Sequence, residues 1–451
     1  MTGPPLSYVD EAVLLLAEGA GQEAVLQVLW TYDRPVDLVG LQRSRDALNR
    51  SLVSRTIERS PIPFCRSRWV RSPGPGPDIA VSDARVSRDA IFEWADEQVA
   101  LPLDPIRGPG WQLSVADLTD GGSVVSVVAS HAIVDGWGLT EALCRAFQDA
   151  DTPQGEQLQA YPLRGARRRG RAAREDLRQL VSDVPETARA LRSAAGLIGS
   201  ISRTPRRRAT GRKASTGRSA PSTDMASFTT VAAYLDAHRL TERAKQESGT
   251  ATSLLAAFTI RLAETLERST NREVNLLVPI LDDVVATDRA NSVTLARFPV
   301  SVDDAHDQLE LRAKMRRGIA SARAGGDPML DLLPLVPFVP RRAARRLRDG
   351  AIATATSLAV NFSHMGSLPD SIMFPDGSPA ERVVSRGVDR NVSVEDLEER
   401  GGALSVISAF VGPNAIVAVV SFQPGAANSR RELRDAMESA FSDLALSATY
   451  L

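Results

Sequence analysis

The stretch 130-SHAIVDGWG-138 follows a nearly unbroken apolar run, Val124 to Ala129, and sets one of the chain's four histidines directly behind it. The run lacks clean alternation, which predicts a central strand buried on both faces. His131 is therefore presented at a strand end, on a loop carried by a rigid scaffold. A neutral imidazole titrating near ~6.5 accepts a proton at neutral pH. Asp135, four residues on, is placed to shape the loop, either by orienting the ring or by pairing with an arginine. Gly136 removes a side chain where backbone or substrate approaches closely. The same short pattern also suits a structural histidine, so its surroundings decide between the two.

Working outward, "WQLSVADL" and "SVVSVVAS" are β-rich runs separated by Thr119, Asp120, Gly121 and Gly122, which predicts a hairpin. A helix from Leu139 to Gln148 closes this unit. Upstream, the pattern predicts a helix over Tyr8–Leu16, a strand over Ala24–Tyr32, a helix from Leu38 to Glu58, and a strand in "SPIPFCRSRWV", where Pro61 and Pro63 cannot continue a helix. Near the C-terminus, "ALSVISAFVGPNAIVAVVSFQPG" followed by "SRRELRDAMESAFSDL" repeats the order strand, turn, strand, loop, helix. The two halves thus read as copies of one α/β unit, and only the first carries a histidine after its second strand. One site between the halves is the expectation. Further elements in the second half are a strand at Thr229–Tyr234, a helix in "TATSLLAAFTIRLAETLE", strands at "EVNLLVPI" and "RFPVSV", and a helix from Asp303 to Arg323.

At 451 residues the chain exceeds what one hydrophobic core usually supports, so two domains are expected. The reading divides it into residues 1–160, a basic linker or insertion at 161–224, and residues 225–451. The net charge of −1 conceals an asymmetry, since residues 161–220 hold sixteen Arg/Lys against four Asp/Glu. Nearly all the bases are arginine. No apolar stretch approaches the ~20 residues that span a bilayer, and the first thirty lack a signal-peptide pattern, which predicts a cytoplasmic protein. Cys65 and Cys144 are too few for a disulfide framework or a zinc cluster and read as small buried hydrophobes. A nucleophile elbow, a P-loop and a metal-ligand cluster are all missing from the sequence.

Several ordered pieces carry a family resemblance: "LSYVDEAVLLL", "LPLDPIRGPGWQL", "SHAIVDG", "LLVPI", "ANSV" at Ala290–Val293, and "VNFSHMGSLP" at Val360–Pro369. Together they resemble the CoA-dependent acyltransferase superfamily, which includes chloramphenicol acetyltransferase, the condensation domains of peptide synthetases, and the bacterial wax ester synthase/diacylglycerol acyltransferases, the last group being the most similar. The resemblance covers nearly the whole chain. It implies an α/β fold of two chloramphenicol-acetyltransferase-like subdomains forming a pseudo-dimer, with a tunnel between them and His131 at its middle. It implies His131 as general base on an acceptor that attacks an acyl thioester, with Asp135 bracing the loop through an arginine; Gly136 is read as part of that brace, and Arg289 is one candidate for the arginine. No bound cofactor is implied; the donor substrate is acyl-CoA or a phosphopantetheinyl acyl carrier protein. Ser130 stands where many members carry a second histidine, which weighs against peptide-bond-forming condensation domains. The plant acyltransferases' Asp-Phe-Gly-Trp-Gly signature is absent.

Ser130, Trp137, Gly138, Asn361, Ser363 and His364 are candidate tunnel-lining residues, with Trp137 alternatively a core aromatic. His238 and His306 lie in charged helical contexts and read as solvated. The arginine-rich segment reads as a flexible linker, a dock for CoA phosphates or an acidic carrier protein, or a peripheral contact with an anionic membrane. Nucleic acid is not an expected partner, because the basic run lacks interleaved aromatics. The leading expectation is transfer of an acyl group from a thioester to an alcohol, forming a lipid or natural-product ester. The alternatives are a stand-alone condensation-type enzyme with a carrier-protein donor, and a non-catalytic scaffold or binding protein that kept the fold.

Overall fold

Two mixed sheets, each backed by helices, form the frame of the computed structural model, which describes residues 3–21, 23–72, 74–148, 161–165, 169–201, 225–281, 289–325, 330–344 and 358–451. The strands are β1 (Glu23–Tyr32), β2 (Arg55–Glu58), β3 (Arg68–Arg71), β4 (Ile79–Val81), β5 (Trp111–Asp117), β6 (Ser123–Ser130), β7 (Thr229–Asp236), β8 (Glu273–Leu281), β9 (Val293–Ser301), β10 (Ala359–Ser367), β11 (Arg382–Arg390), β12 (Ala403–Val411), β13 (Asn414–Phe422) and β14 (Thr449–Tyr450). The α-helices are α1 (Tyr8–Ala20), α2 (Leu38–Asn49), α3 (Ile91–Ala100), α4 (Gly136–Gln148), α5 (Arg169–Ile201), α6 (Ala237–Gln246), α7 (Ala251–Thr265), α8 (Gln308–Arg323), α9 (Val394–Glu399) and α10 (Arg430–Ser442).

The first sheet runs β11-β1-β6-β5-β4 and the second β14-β7-β13-β12-β10-β8-β9, while β2 and β3 form a separate ribbon. The duplicated hairpins hold these positions. β5 and β6 pair antiparallel with Gly121 in the left-handed region at the turn, and α4 follows; β12 and β13 pair antiparallel around Gly412, and α10 follows. Both central strands, β6 and β13, are buried along almost their whole length, as their unbroken apolar runs predict. Each lobe has its own core, and a third cluster including Val25, Val128, Phe228, Val388 and Phe422 bridges them.

β11 comes from the C-terminal half yet completes the first sheet by pairing antiparallel with β1 over its full length. Its fully buried Arg386 fastens the exchange. That guanidinium donates to Gln27 Oε1 at 2.7 Å and Thr230 Oγ1 at 2.6 Å, and pairs with Asp96 at 2.7 Å. A buried cation is tolerated here because anion and acceptors surround it.

Three local expectations are corrected. The helix expected from Leu38 to Glu58 stops at Asn49; Ser51 caps a short turn, and Arg55–Glu58 become β2, whose Thr56 and Ile57 pair with Val70 and Trp69. In "SPIPFCRSRWV" only the end is strand, from Arg68 onward. The helix expected from Asp303 to Arg323 is broken at Asp307, whose extended backbone (φ −120°, ψ 93°) lets its carboxylate cap the amides of Leu309 and Glu310. Within the basic segment, the helix-like island is α5; residues 202–224 lie outside the described residues.

Candidate active site

β6 ends at Ser130, and the chain turns at once. Ser130 is fully buried, and its hydroxyl accepts from the Ala132 amide at 3.3 Å, so it serves the turn rather than the space beyond it. His131 is pinned at both backbone groups. Its N–H donates to the Ala24 carbonyl on β1 at 2.9 Å, and its carbonyl accepts from Asn291 Nδ2 at 3.3 Å. The imidazole itself makes no hydrogen bond to the protein among the described residues and opens into the space between the sheets.

Asp135 is buried and acts as the cap of α4. One carboxylate oxygen accepts from the Gly138 amide at 2.7 Å and the other from the Ser292 amide at 2.9 Å, while its own N–H donates to the Ala290 carbonyl at 2.8 Å. It thus ties the histidine loop to the segment entering β9. Arg289, expected as its partner, joins this network through its backbone carbonyl, which accepts from Arg55 at 2.7 Å.

Arg55 and Asp10 complete the brace, and neither was expected as a site residue. Arg55 is 2% exposed, lies 3.9 Å over the Trp69 ring, and donates to the Ile133 carbonyl at 2.9 and 3.2 Å. Burial pulls its pKa down, while the nearby Tyr161, Asp10 and Asp135 oppose that shift. Asp10, fully buried on α1, accepts from the Ala290 and Asn291 amides at 3.1 and 3.0 Å and from Asn291 Nδ2 at 2.8 Å. The pieces "LSYVDEAV", "SHAIVDG" and "ANSV" therefore meet in one network, in which Asp10 holds Asn291 and Asn291 holds the backbone of His131.

The two glycines after Asp135 differ in kind. A Cβ on Gly138 would lie 3.0 Å from Val134 Cγ2 and 3.2 Å from Asp135 Oδ1, so the close approach of that carboxylate requires glycine. A Cβ on Gly136 would meet nothing within 4 Å, and Gly136 borders open space.

That space is a cavity of about 720 Å³ between the two sheets, within the range of small-molecule sites. β1 and β11 supply one wall, including Val25, Ser385 and Val388; β8, β10 and β12 supply the other, including Leu277, Asn361, Ser405 and Ile407. Alternation makes both faces of β8 useful, with Val274, Leu276, Val278 and Ile280 in the core and Leu277, Pro279 and Leu281 toward the cavity. Of the expected lining residues, Trp137, Asn361, Ser363 and His364 border the cavity, and Ser130 and Gly138 do not. His364 Nδ1 lies 3.0 Å from the Ser408 hydroxyl, and its ring meets Phe410 edge-on. Burial lowers its pKa. Asn361 Nδ2 donates to Ser405 Oγ at 2.9 Å. His238 and His306 lie away from the cavity.

The amides of Gly136 and Trp137, in the first turn of α4, have no acceptor among the described residues, and both residues border the same cavity. Among the described residues no cluster of three metal-ligating side chains occurs, and no helix is long and apolar enough to cross a membrane.

No protein-family model and no curated protein sequence matches the chain. Solved structures do resemble it. The nonribosomal peptide synthetase FmoA3, in its AMPPNP-bound form, gives a TM-score of 0.55 at 18% identity, covering 98% of this chain and 42% of that one. The chain thus spans about two fifths of the synthetase's length. The wax ester synthase/diacylglycerol acyltransferase from Marinobacter aquaeolei VT8 gives 0.57 at 12% identity, with 98% of this chain and 100% of that one covered. TRI101 of F. sporotrichioides, complexed with coenzyme A and T-2, gives 0.57 at 12% identity over 99% of both chains. The chain therefore has the two-lobed, chloramphenicol-acetyltransferase-like fold that these structures share.

Proposed function

We propose that the protein is an acyltransferase that moves an acyl group from a thioester donor, acyl-CoA or an acyl carrier protein, to an alcohol, with His131 as general base. The observation that carries this reading is the placement of His131. Its backbone is fixed from both lobes, and its ring, which makes no hydrogen bond to the protein among the described residues, borders a largely apolar cavity of about 720 Å³.

The reaction balances with the groups present. A ring nitrogen of neutral His131 takes the acceptor's hydroxyl proton as the oxygen attacks the thioester carbon. A C–O bond forms, the carbonyl oxygen takes negative charge, and collapse breaks the C–S bond. The imidazolium then returns the proton to the departing thiolate. The amides of Gly136 and Trp137, which have no acceptor among the described residues, are the donors this reading assigns to the developing oxyanion. Positioned proton transfer contributes roughly 10²- to 10⁴-fold, and holding both substrates in a shielded cavity supplies further rate. Asp135 is no second acid or base, because backbone amides occupy both its oxygens.

The likeness to a peptide synthetase supports a second reading, in which the donor is always carrier-bound and the product is an amide. The test is incubation of purified protein with acyl-CoA and with acyl carrier protein donors, against alcohols and amines, with products read by mass spectrometry. Ester from a free CoA thioester supports the primary reading. Ester from the carrier-bound donor alone keeps the primary reading with that donor, amide from the carrier-bound donor alone supports the second, and no product from either donor across a broad panel refutes both and favours a binding protein.

A further inference from the structure

Helix α5 runs from Arg169 to Ile201, and its inner face is fastened to the first lobe. Asp176 accepts from Arg68 at 2.9 Å and from Ser60 at 2.7 Å, and Asp183 pairs with Arg66 at 2.8 Å, while Ala172, Gln179 and Ala190 are buried beside them. This fixes which side of the helix faces outward. On that side lie Leu177, Val181, Val184 and Leu191, each more than half exposed. With Ala188 and Ala195 they are spaced four, three, four, three and four residues apart, which aligns them in one stripe along the helix. From Leu177 to Leu191 the stripe extends about 21 Å.

One edge of the stripe is lined by arginine. By helical spacing, Arg171, Arg174, Arg178, Arg189 and Arg192 follow each other along a single flank. Arg171 is paired with Glu175, but Arg174, Arg178, Arg189 and Arg192 have no acidic partner among the described residues. Arg189 and Arg192 also border a cleft of about 720 Å³ lined as well by Arg66 and Arg289, with Glu186 and Asp331 as its acids. The opposite flank carries Ala173, Leu180, Thr187 and Ala194, with no acid. Two copies paired symmetrically through this stripe would therefore bring no acid from that flank to the arginines. An apolar row beside unpaired arginines complements a surface that offers hydrocarbon and negative charge together.

We infer that the outer face of α5 docks on an anionic lipid surface, with Leu177, Val181, Val184 and Leu191 entering the headgroup region and the arginine flank meeting lipid phosphates. This inference is independent of the acyl-transfer reading.

The test is flotation of the full chain with vesicles of phosphatidylcholine alone, or of phosphatidylcholine and phosphatidylglycerol in roughly two-to-one proportion. The wild type should float with the anionic vesicles only, and high salt should release it. Replacing the exposed apolar residues together (Leu177→Asp, Val184→Asp, Leu191→Asp), or reversing the flank (Arg174→Glu with Arg178→Glu), should each lower partitioning by about tenfold or more. Circular dichroism melts matching the wild type establish that these surface variants fold. Equal flotation with neutral vesicles, no flotation with either, or retained binding by both variants overturns the proposal. So does sedimentation showing a dimer that the apolar variant dissociates.

Discussion

Replacing Asp135 with alanine separates bracing from chemistry. The carboxylate accepts one backbone hydrogen bond at 2.7 Å from Gly138, capping α4, and one at 2.9 Å from Ser292 in the segment leading to β9. Hydrogen bonds to a charged acceptor contribute about 1.5–3 kcal/mol each, and loss of a helix cap alone costs about 1 kcal/mol. Both amides would lose their acceptor beneath a buried surface, and Arg55 would lose one of its balancing charges. The predicted loss is about 3–5 kcal/mol. Asp135→Asn keeps one oxygen acceptor and should lose roughly half of that. All five tryptophans lie between residues 30 and 137, so urea unfolding followed by tryptophan fluorescence reports on the lobe concerned. Turnover in Asp135→Ala should fall together with stability, because the His131 loop loses its anchor. An Asp135→Ala protein as stable as the wild type but inactive would refute the brace and give Asp135 a chemical role.

Further outcomes follow from neighbouring contacts. Gly136→Ala should leave unfolding within about 0.5 kcal/mol of wild type, since its Cβ meets open space, yet raise KM by intruding on the cavity; Gly138→Ala should destabilise by about 1–2 kcal/mol, since its Cβ crowds Val134 and Asp135. Urea midpoints and steady-state kinetics on the pair check both. Asp10→Ala removes a fully buried carboxylate from three hydrogen bonds and should cost about 3–5 kcal/mol, with Asn291→Ala milder and read mainly in kcat. Burial depresses the His364 pKa below its unfolded value, so the unfolded chain binds the extra proton. Stability attributable to this group is present above about 6.5 and is lost as pH falls through that value, and His364→Gln should flatten the slope in urea titrations between about pH 7.5 and 5.5.

Much of the frame was legible because its signals are local. The apolar runs of β6 and β13, the glycine turns at Gly121 and Gly412, and the helix after each hairpin are all written within a few residues. The histidine's place at a strand end followed from them. What escaped the sequence depends on distant partners. Arg55 looked like a helix residue, and only the Ile133 carbonyl, 78 positions away, and the Arg289 carbonyl, 234 positions away, give it a place. Asp10 read as one acid in an N-terminal helix until Asn291 came to meet it. β11 has too many polar residues to stand out as a strand, because Arg386 and Gly387 face a lobe boundary and a cavity rather than a simple core. The Arg289 carbonyl takes part through Arg55, which also donates to the Ile133 carbonyl of the histidine loop, and a backbone atom that every residue carries leaves no mark in the sequence.

The most direct test of the central claim is the rate of ester formation by His131→Ala relative to wild type, measured with the best donor and alcohol found. Because the ring makes no hydrogen bond to the protein among the described residues, the variant should unfold at nearly the wild-type urea concentration while losing roughly 10²- to 10⁴-fold in kcat. Equal turnover by the two proteins would contradict the account.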